Sequence, residues 1–446
     1  MICLQDWVRG THIIETKKKL LQSDFWSREQ LEIYQLTKLR KLVLFSYEHV
    51  PYYRKLFDDI NLKPKDVQVL ADIKKIPVLT KDIVRREYIN LLADNVDINS
   101  HKIKLAKTGG TTGMPLKFYK DVQTRNFAWG AYYRWYNWMG IKNIDRKAVL
   151  WGDSNVLKKN IFHTFKSKIV NKLSNNLKLS SFNLNENTLP VIAQKLIDYK
   201  PVFLRGYLSS ILQVAKYFKE NNLILPSLKT ISSTTETLLP IYRQYIEDVF
   251  HVKMFDQYGC GECNSIAFEC NAHNGLHINE EHCLLEILDG NNRDCYNKSG
   301  RVVLTDLDNY AFPFIRYENG DSAILGIGEC KCGRHSRKIL SISGRTTDVV
   351  YLKDGSAVHG VFFTDLFYEL NFYNFEYFTR FQIYQKKKGD FICRLERTKK
   401  EIPQEKLDQL KSNLQKFANE VEIEVLNTLD NDKSGKFRYV ISDIKN

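Results

Sequence analysis

One stretch of the chain combines small residues with hydroxyl groups in a way that suits phosphate binding. In LAKTGGTTGMPLKFY, residues 105–119, every residue from 108 to 113 is Gly or Thr, and lysines flank the loop at 107 and 117. Such a loop brings backbone N–H groups and hydroxyls close to phosphate oxygens. It is not a Walker A loop, because no Gly-Lys-Ser/Thr sequence ends it. An ordinary flexible surface loop is the alternative.

Thiols and imidazoles are concentrated in a second region. Seven of the nine cysteines lie between positions 260 and 332, and CKC at 330–332 sets two thiols close together. Structural zinc takes four N or S ligands in a tetrahedron. The stretch ECNAHNGLHINEEHC, residues 269–283, adds Cys270 and the histidines His273, His277 and His282. Disulfides are not expected in a chain that looks cytoplasmic, so a metal site or ordinary burial of reduced thiols are the two interpretations.

The elements that position these groups alternate in the middle of the chain. The first hundred residues favour helices, notably at 28–50, which stops before Pro51, and at 81–94. From 189 to 259, strand-like and helix-like segments alternate, which predicts a parallel α/β sheet. One of these helices is expected to open at Ser209 or Ser210. STTET (233–237) and YGCGE (258–262) follow strands, where ligands of such sheets bind.

The pattern changes twice towards the C-terminus. Short strand-like pieces succeed one another from about 278 to 327, and after Gly344 a β-pair, a helix and a further strand predict a small α+β unit. The predicted organisation is therefore an α/β protein. It has a large N-terminal domain over 1–343, mostly helical in 1–95, and a small C-terminal domain over 344–446.

Eight motifs, met in order along most of the chain, resemble those of the adenylate-forming superfamily, in its phenylacetate–CoA ligase and CapK-like branch. They are HVPYYRKLF with LADIKKIPVLTKDIVRREY, TGGTTGMPL, LRGYLSSILQVAKYF, SSTTETL, YGCGE, LTDLDNYAFPFIRYENGD, CKCGRHSRKILSISGRTTDVV and DKSGKFRYV. The resemblance implies a large domain with mixed sheets and a small mobile C-terminal lid. It also implies an ATP-dependent ligase that forms an acyl-AMP with release of pyrophosphate.

The resemblance also assigns roles to single residues. Tyr258 would stack on adenine, Asp321 would bond the ribose hydroxyls, and Glu262 would help to hold Mg²⁺. Arg345 would lie near the ribose and phosphates, and Lys436, on the mobile domain, would complete the adenylation site. The β- and γ-phosphates of ATP would be held by the loop residues Thr108, Gly109, Gly110, Thr111, Thr112 and Gly113, and the adenine pocket would be lined by Glu236, Thr237 and Leu238.

Members of this branch often carry zinc in the cysteine-rich region, which points to one ligand set. The expected zinc ligands are Cys270, His277, Cys330 and Cys332, with His273 as the first substitute for His277. The rival pair, Cys260 and Cys263, is less favoured because chelation there would pull on the adenine-binding strand. The acyl pocket is expected to be lined by Trp151, Arg205, Tyr207 and Cys260.

Composition limits the remaining function classes. The net charge of +14 is spread in short lysine clusters, which favours a solvated surface over a nucleic-acid site. No apolar run is long enough to span a bilayer, and the N-terminus does not resemble a signal peptide, so a cytoplasmic protein is expected.

The partners expected are a small carboxylic acid and an acceptor, either CoA or an amine or sugar. An inactive zinc-stabilised binding protein is the alternative from another class.

Overall fold

The structure, a computed structural model, describes residues 6, 11–108, 116–151, 175–181, 184–345, 349–359, 362–363, 366–367, 377–398, 400–430 and 437–444. The α-helices in this part of the chain are α1 (Ile13–Gln22), α2 (Arg28–His49), α3 (Pro51–Asp59), α4 (Lys81–Arg86), α5 (Val122–Trp138), α6 (Thr188–Tyr199), α7 (Leu208–Glu220), α8 (Pro240–Phe250) and α9 (Gln404–Gln415). None of these helices has both the length and the hydropathy that a membrane span requires.

The strands form three larger sheets and two hairpins. In the first half of the chain they are β1 (Lys104–Lys107), β2 (Lys117–Lys120), β3 (Lys147–Trp151), β4 (Asn176–Ser180), β5 (Phe203–Tyr207), β6 (Thr230–Thr234), β7 (Lys253–Phe255) and β8 (Gln257–Tyr258). Those that follow are β9 (Ala267–Glu269), β10 (Leu276–Ile278), β11 (Cys283–Leu288), β12 (Ser299–Asp306), β13 (Tyr317–Gly326), β14 (Lys338–Arg345), β15 (Val349–Tyr351), β16 (Ala357–His359), β17 (Phe378–Gln385), β18 (Asp390–Arg397), β19 (Glu420–Leu426) and β20 (Val440–Ser442).

The chain divides into two compact units. Unit 1 comprises Met1–Asp145, Lys172–Asn175 and Phe255–Ile342. Its main sheet has seven strands in the order β11-β12-β13-β14-β10-β9-β8, and β1 and β2 form a separate antiparallel hairpin. Helices α2 and α3 pack apolar side chains such as Leu42 and Phe57 into a core shared with this sheet. This burial of apolar area is the main source of stability for the unit.

Unit 2 comprises Arg146–Asn171, Asn176–Met254 and Ser343–Asn446. Its first sheet, β4-β3-β5-β6-β7, is parallel where β3 pairs with β4 and β5, and where β5 pairs with β6. A second sheet, β19-β18-β17-β20, contains the antiparallel pair β17 and β18. The α/β fold class is thus confirmed, whereas a domain boundary at 343/344 stays a prediction.

Two local expectations are wrong. The helix expected at 81–94 ends at Arg86, because the backbone beyond it bonds to other elements: Ala93 N–H donates to the Ala311 carbonyl and Asn90 accepts from Tyr52. Neither Ser209 nor Ser210 opens α7. Its N-cap is Tyr207, whose side chain makes no capping bond.

Candidate functional site

The base of the Gly/Thr loop is fixed by its first residue. Thr108 N–H donates to the Leu116 carbonyl at 3.0 Å, and its hydroxyl accepts from Leu116 N–H at 2.9 Å, which joins the ends of β1 and β2. A Cβ on Gly261 would lie only 3.6 Å from Thr108 Cγ2. The structure therefore brings the base of the loop beside the YGCGE turn. Positions 109–113 lie outside the described residues.

Tyr258 and Asp321 meet in one buried hydrogen-bonded group. The Tyr258 hydroxyl donates to Asp321 Oδ2 at 2.7 Å, and the Asn319 side-chain amide donates to both Tyr258 Oη at 2.7 Å and Asp321 Oδ2 at 2.8 Å. Burial, and then the Asp321 carboxylate, raise the pKa of Tyr258 well above its usual value. The phenol therefore stays protonated and keeps donating. Asn319 bonds to two expected site residues, a contact that the sequence did not predict although Asn319 lies two positions before Asp321.

The Glu262 carboxylate is oriented by a residue outside the Tyr258–Asp321 group. Its carboxylate is buried and accepts a hydrogen bond from the Tyr317 hydroxyl at 2.6 Å, and Tyr317 is itself fully buried in β13. A carboxylate with a fixed partner keeps one orientation, as a ligand for a hard cation such as Mg²⁺ must. Tyr317 is a second contributor that sequence reasoning missed, since nothing in ENGD or YGCGE links the two.

The four side chains expected to bind zinc lie together in unit 1. The ligand atoms of Cys270, His277, Cys330 and Cys332 are all within 4.8 Å of one another. Cys270 Sγ is 3.7 Å from Cys330 Sγ, and Cys332 Sγ is 3.3 Å from His277 Nε2. Zinc with bonds of about 2.3 Å to S and about 2.0 Å to N, at tetrahedral angles, requires separations of about 3.8 and about 3.5 Å. The donor set and its spacing fit the metal.

The surroundings favour the metal-binding forms of two of the four side chains, His277 and Cys332, whereas burial raises the pKa of the Cys270 thiol to about 12. Burial, and then the nearby Arg334 guanidinium, lower the pKa of His277 to about 4, so the imidazole is neutral at pH 7. Its Nδ1 lies 3.0 Å from Ser336 Oγ. With the proton on Nδ1, Nε2 is left as the ligand atom. Burial opposes ionisation of Cys332, but the backbone N–H of Arg334 and the neighbouring thiols outweigh it and lower that pKa.

The rival pair Cys260 and Cys263 is not brought together as joint metal ligands, although Cys263 lies in a second group that could hold a metal ion, with His282 and Asp306. Cys263 N–H donates to Cys260 Sγ at 3.4 Å, while Cys263 Sγ faces His282 Nε2 at 3.9 Å. Among the described residues, no metal-capable group includes Cys260. His273 pairs with Glu269 at 3.3 Å and lies outside the four-residue cluster.

Unit 2 carries three of the four residues expected to line the acyl pocket. Trp151 and Tyr207 have ring centroids 4.9 Å apart, and the Arg205 guanidinium lies 5.5 Å from the Trp151 ring centre. Because β3 and β5 pair in parallel, these side chains share one sheet face. Cys260, the fourth expected pocket residue, belongs to unit 1.

Five further expected site residues follow β6 or lie in the C-terminal part of unit 2. Glu236, Thr237 and Leu238 are half-buried and follow β6. Strand β14 ends at Arg345, and the side chain of Arg345 as well as the whole of Lys436 lie outside the described residues.

Comparison with known proteins finds relatives of the kind that the motifs resemble. Residues 350–443 match the model of the CapK C-terminal domain. The chain is 26% identical over 347 residues to phenylacetate–coenzyme A ligase of Thermus thermophilus, covering 73% of each. It is 27% identical over 349 residues to protein CapK of Staphylococcus aureus, covering 75% of this chain and 72% of CapK. The predicted resemblance is confirmed.

Solved structures agree on the fold. A 2-hydroxyisobutyryl-CoA ligase in its postadenylation state, in complex with 2-HIB-AMP, superposes with a TM-score of 0.77 over 95% of this chain and 91% of that one, at 19% identity. An anthranilate CoA ligase in complex with anthranoyl-AMP gives a TM-score of 0.55 over 90% and 79%, at 13% identity. The chain has the fold of adenylate-forming CoA ligases and resembles the phenylacetate–CoA ligase and CapK branch.

Proposed function

We propose that the protein is an ATP-dependent, AMP-forming acid–thiol or acid–amine ligase. A carboxylate oxygen would attack the α-phosphorus of ATP, the bond to the pyrophosphate oxygen would break, and acyl-AMP would form. The acceptor would then attack the acyl carbon and release AMP. The relatives named above include CoA ligases, which agrees with the ligase class predicted from the motifs.

One observation carries this proposal. Unit 1 sets Thr108 beside the turn that bears Glu262, and in the same unit Tyr258 bonds to Asp321 directly and through Asn319. The residues proposed to contact phosphate, metal and nucleoside would thus come from one unit. Glu262 would hold Mg²⁺, which offsets the repulsion between two anions. Lys436, from the predicted mobile domain 344–446, would add a positive charge when that domain closes.

Zinc would have a structural role. The cluster Cys270, His277, Cys330 and Cys332 supplies four protein ligands, which leaves no open position for a substrate. The metal would fasten the turn at 330–333 to β10, the strand that carries His277. Gly333 has φ +81 and donates its N–H to the Cys330 carbonyl at 3.0 Å, so this turn favours glycine there.

The acceptor has two candidates. Coenzyme A is favoured by the relatives that are CoA ligases. An amine or sugar acceptor without CoA, in surface polysaccharide formation, is favoured by the relation to CapK and by the CapK C-terminal domain. Either acceptor would be a small molecule, not a nucleic acid, and the reaction would take place in the cytoplasm.

ATP–pyrophosphate exchange tests the proposal. We would assay phenylacetate, octanoate, glucuronate and alanine as representatives of aryl, fatty, sugar and amino acids, with wild type and Lys436→Ala in parallel. The proposal predicts exchange with one class of acid, reduced at least about 10²-fold in the variant. Folded protein that supports no exchange with any acid would favour the inactive binding protein instead.

A further inference from the structure

The carboxylate of Glu236 accepts hydrogen bonds at the start of a helix. Its Oε2 accepts from Ser209 N–H at 2.8 Å, and its Oε1 accepts from the Ser209 hydroxyl at 2.8 Å. Ser209 lies in the first turn of α7, where backbone N–H groups have no partner within the helix. The N-cap Tyr207 supplies no side-chain cap. Glu236 therefore caps α7 from the end of the neighbouring strand β6, where a negative charge is also favoured by the helix dipole.

The same carboxylate reaches the C-terminal part of unit 2. Phe437 N–H donates to Glu236 Oε1 at 3.4 Å, a contact between residues 201 positions apart. The Phe437 side chain is buried and its ring lies 4.6 Å from the Arg380 guanidinium. The Tyr439 ring packs against Tyr242 of α8 in a tilted arrangement, with ring centroids 5.6 Å apart. The segment at 437–439 is thus docked at the carboxyl end of the parallel sheet.

This contact is one peptide bond from the lysine assigned to adenylation. Consecutive Cα atoms are about 3.8 Å apart, so fixing the Phe437 amide limits where the Lys436 side chain can reach. Resting on the proposed function, we propose that Glu236 is a positioning residue. It would latch the Phe437 backbone to the start of α7 and so hold the C-terminal domain in the arrangement that forms acyl-AMP.

The latch differs from the adenine-pocket role that the resemblance assigns to Glu236. A pocket-lining residue contributes to ATP binding, so its loss raises KM for ATP. A latch sets the fraction of enzyme with Lys436 in place, so its loss lowers kcat of the adenylation step and leaves KM for ATP nearly unchanged. Loss of the latch would also expose the Phe437 amide to solvent. This exposure can be measured before any substrate has been identified.

Hydrogen exchange of the full chain, without ligand, is the first experiment. Glu236→Gln keeps the shape of the side chain but removes its charge. The matched control is Glu220→Gln, at the other end of α7. We expect amide exchange at 437–439 to accelerate at least tenfold in Glu236→Gln and to stay within twofold of wild type in Glu220→Gln. Equal protection in all three proteins would overturn the latch.

ATP–pyrophosphate exchange then distinguishes the latch from a role in the adenine pocket and from a general loss of stability. With the acid that supports wild-type exchange, Glu236→Gln should lower kcat at least tenfold and change KM for ATP less than threefold. Thioester formation from added acyl-AMP should fall much less. A higher KM at unchanged kcat, or an equal fall in both half-reactions together with a lower melting temperature, would overturn the latch. A wild type without exchange refutes the proposed function instead, and hydrogen exchange still decides the latch.

Discussion

Replacing one thiol of the four-residue cluster should remove its metal. Cys332→Ser is the informative change, because Cys332 Sγ lies 3.3 Å from His277 Nε2 and is the least buried of the four ligands. Cys295→Ser is the matched control, since Cys295 is half-buried, lies in the same unit and is outside the cluster. We expect one zinc ion per chain in wild type and in Cys295→Ser, and much less in Cys332→Ser.

The size of the effect follows from the number of ligands. Structural zinc in small peptides binds with an apparent free energy of about 10–16 kcal/mol at pH 7. An equal share for each of four ligands is about 2.5–4 kcal/mol, so zinc should bind about 10²- to 10³-fold more weakly to Cys332→Ser. Because zinc binds the folded state, the free energy of unfolding should fall by a similar amount at fixed free zinc.

Metal analysis and unfolding curves measure this directly. Zinc content would be determined by atomic emission after dialysis against a weak chelator, and unfolding in urea would be followed at fixed free zinc. Cobalt substitution would add a test of ligand type, because thiolate ligands give intense charge-transfer absorption. Zinc content that is equal in Cys332→Ser and Cys295→Ser, or wild-type protein that binds no zinc, would refute the assignment.

Three further predictions concern unit 1. Tyr258→Phe removes the buried hydrogen bonds that the phenol makes with Asp321 and Asn319, so urea unfolding should show a loss of about 1–3 kcal/mol; an unchanged midpoint would contradict the hydrogen bonds described. The pKa of His277 is lowered to about 4, so the unfolded state binds its proton first as the pH falls. Metal-free protein should therefore lose about 3 kcal/mol between about pH 6.5 and pH 4, and His277→Gln should lose that part of the pH dependence. Glu262→Gln should keep the melting temperature within a few degrees but lower pyrophosphate exchange at least about 10²-fold, and exchange close to that of wild type would remove Glu262 from the site.

The sequence predicted what depends on local pattern. Alternating apolar segments between 189 and 259 were enough to predict the parallel sheet, and the spacing around CKC, together with the family resemblance, predicted which four side chains meet. Both features follow from residues that are close in sequence or that share one type of chemistry.

Contacts between distant elements could not be predicted in this way. The helix expected at 81–94 is cut short because Ala93 bonds to Ala311, which is more than 200 positions away. Ser209 is held by Glu236 instead of capping its own helix, and Glu262 is oriented by Tyr317. Each of these depends on which side chain reaches a given atom in the folded chain, and the periodicity of the sequence carries no information about that.

The proposed reaction begins when the carboxylate attacks the α-phosphorus of ATP. The most direct test uses the acid that supports exchange, labelled with ¹⁸O in its carboxylate, and follows the label by mass spectrometry after transfer to the acceptor. Attack on the α-phosphorus predicts that one ¹⁸O appears in AMP and that the other stays in the acyl product. Label in inorganic phosphate, with ADP as the nucleotide product, would show attack on the γ-phosphorus and contradict the account.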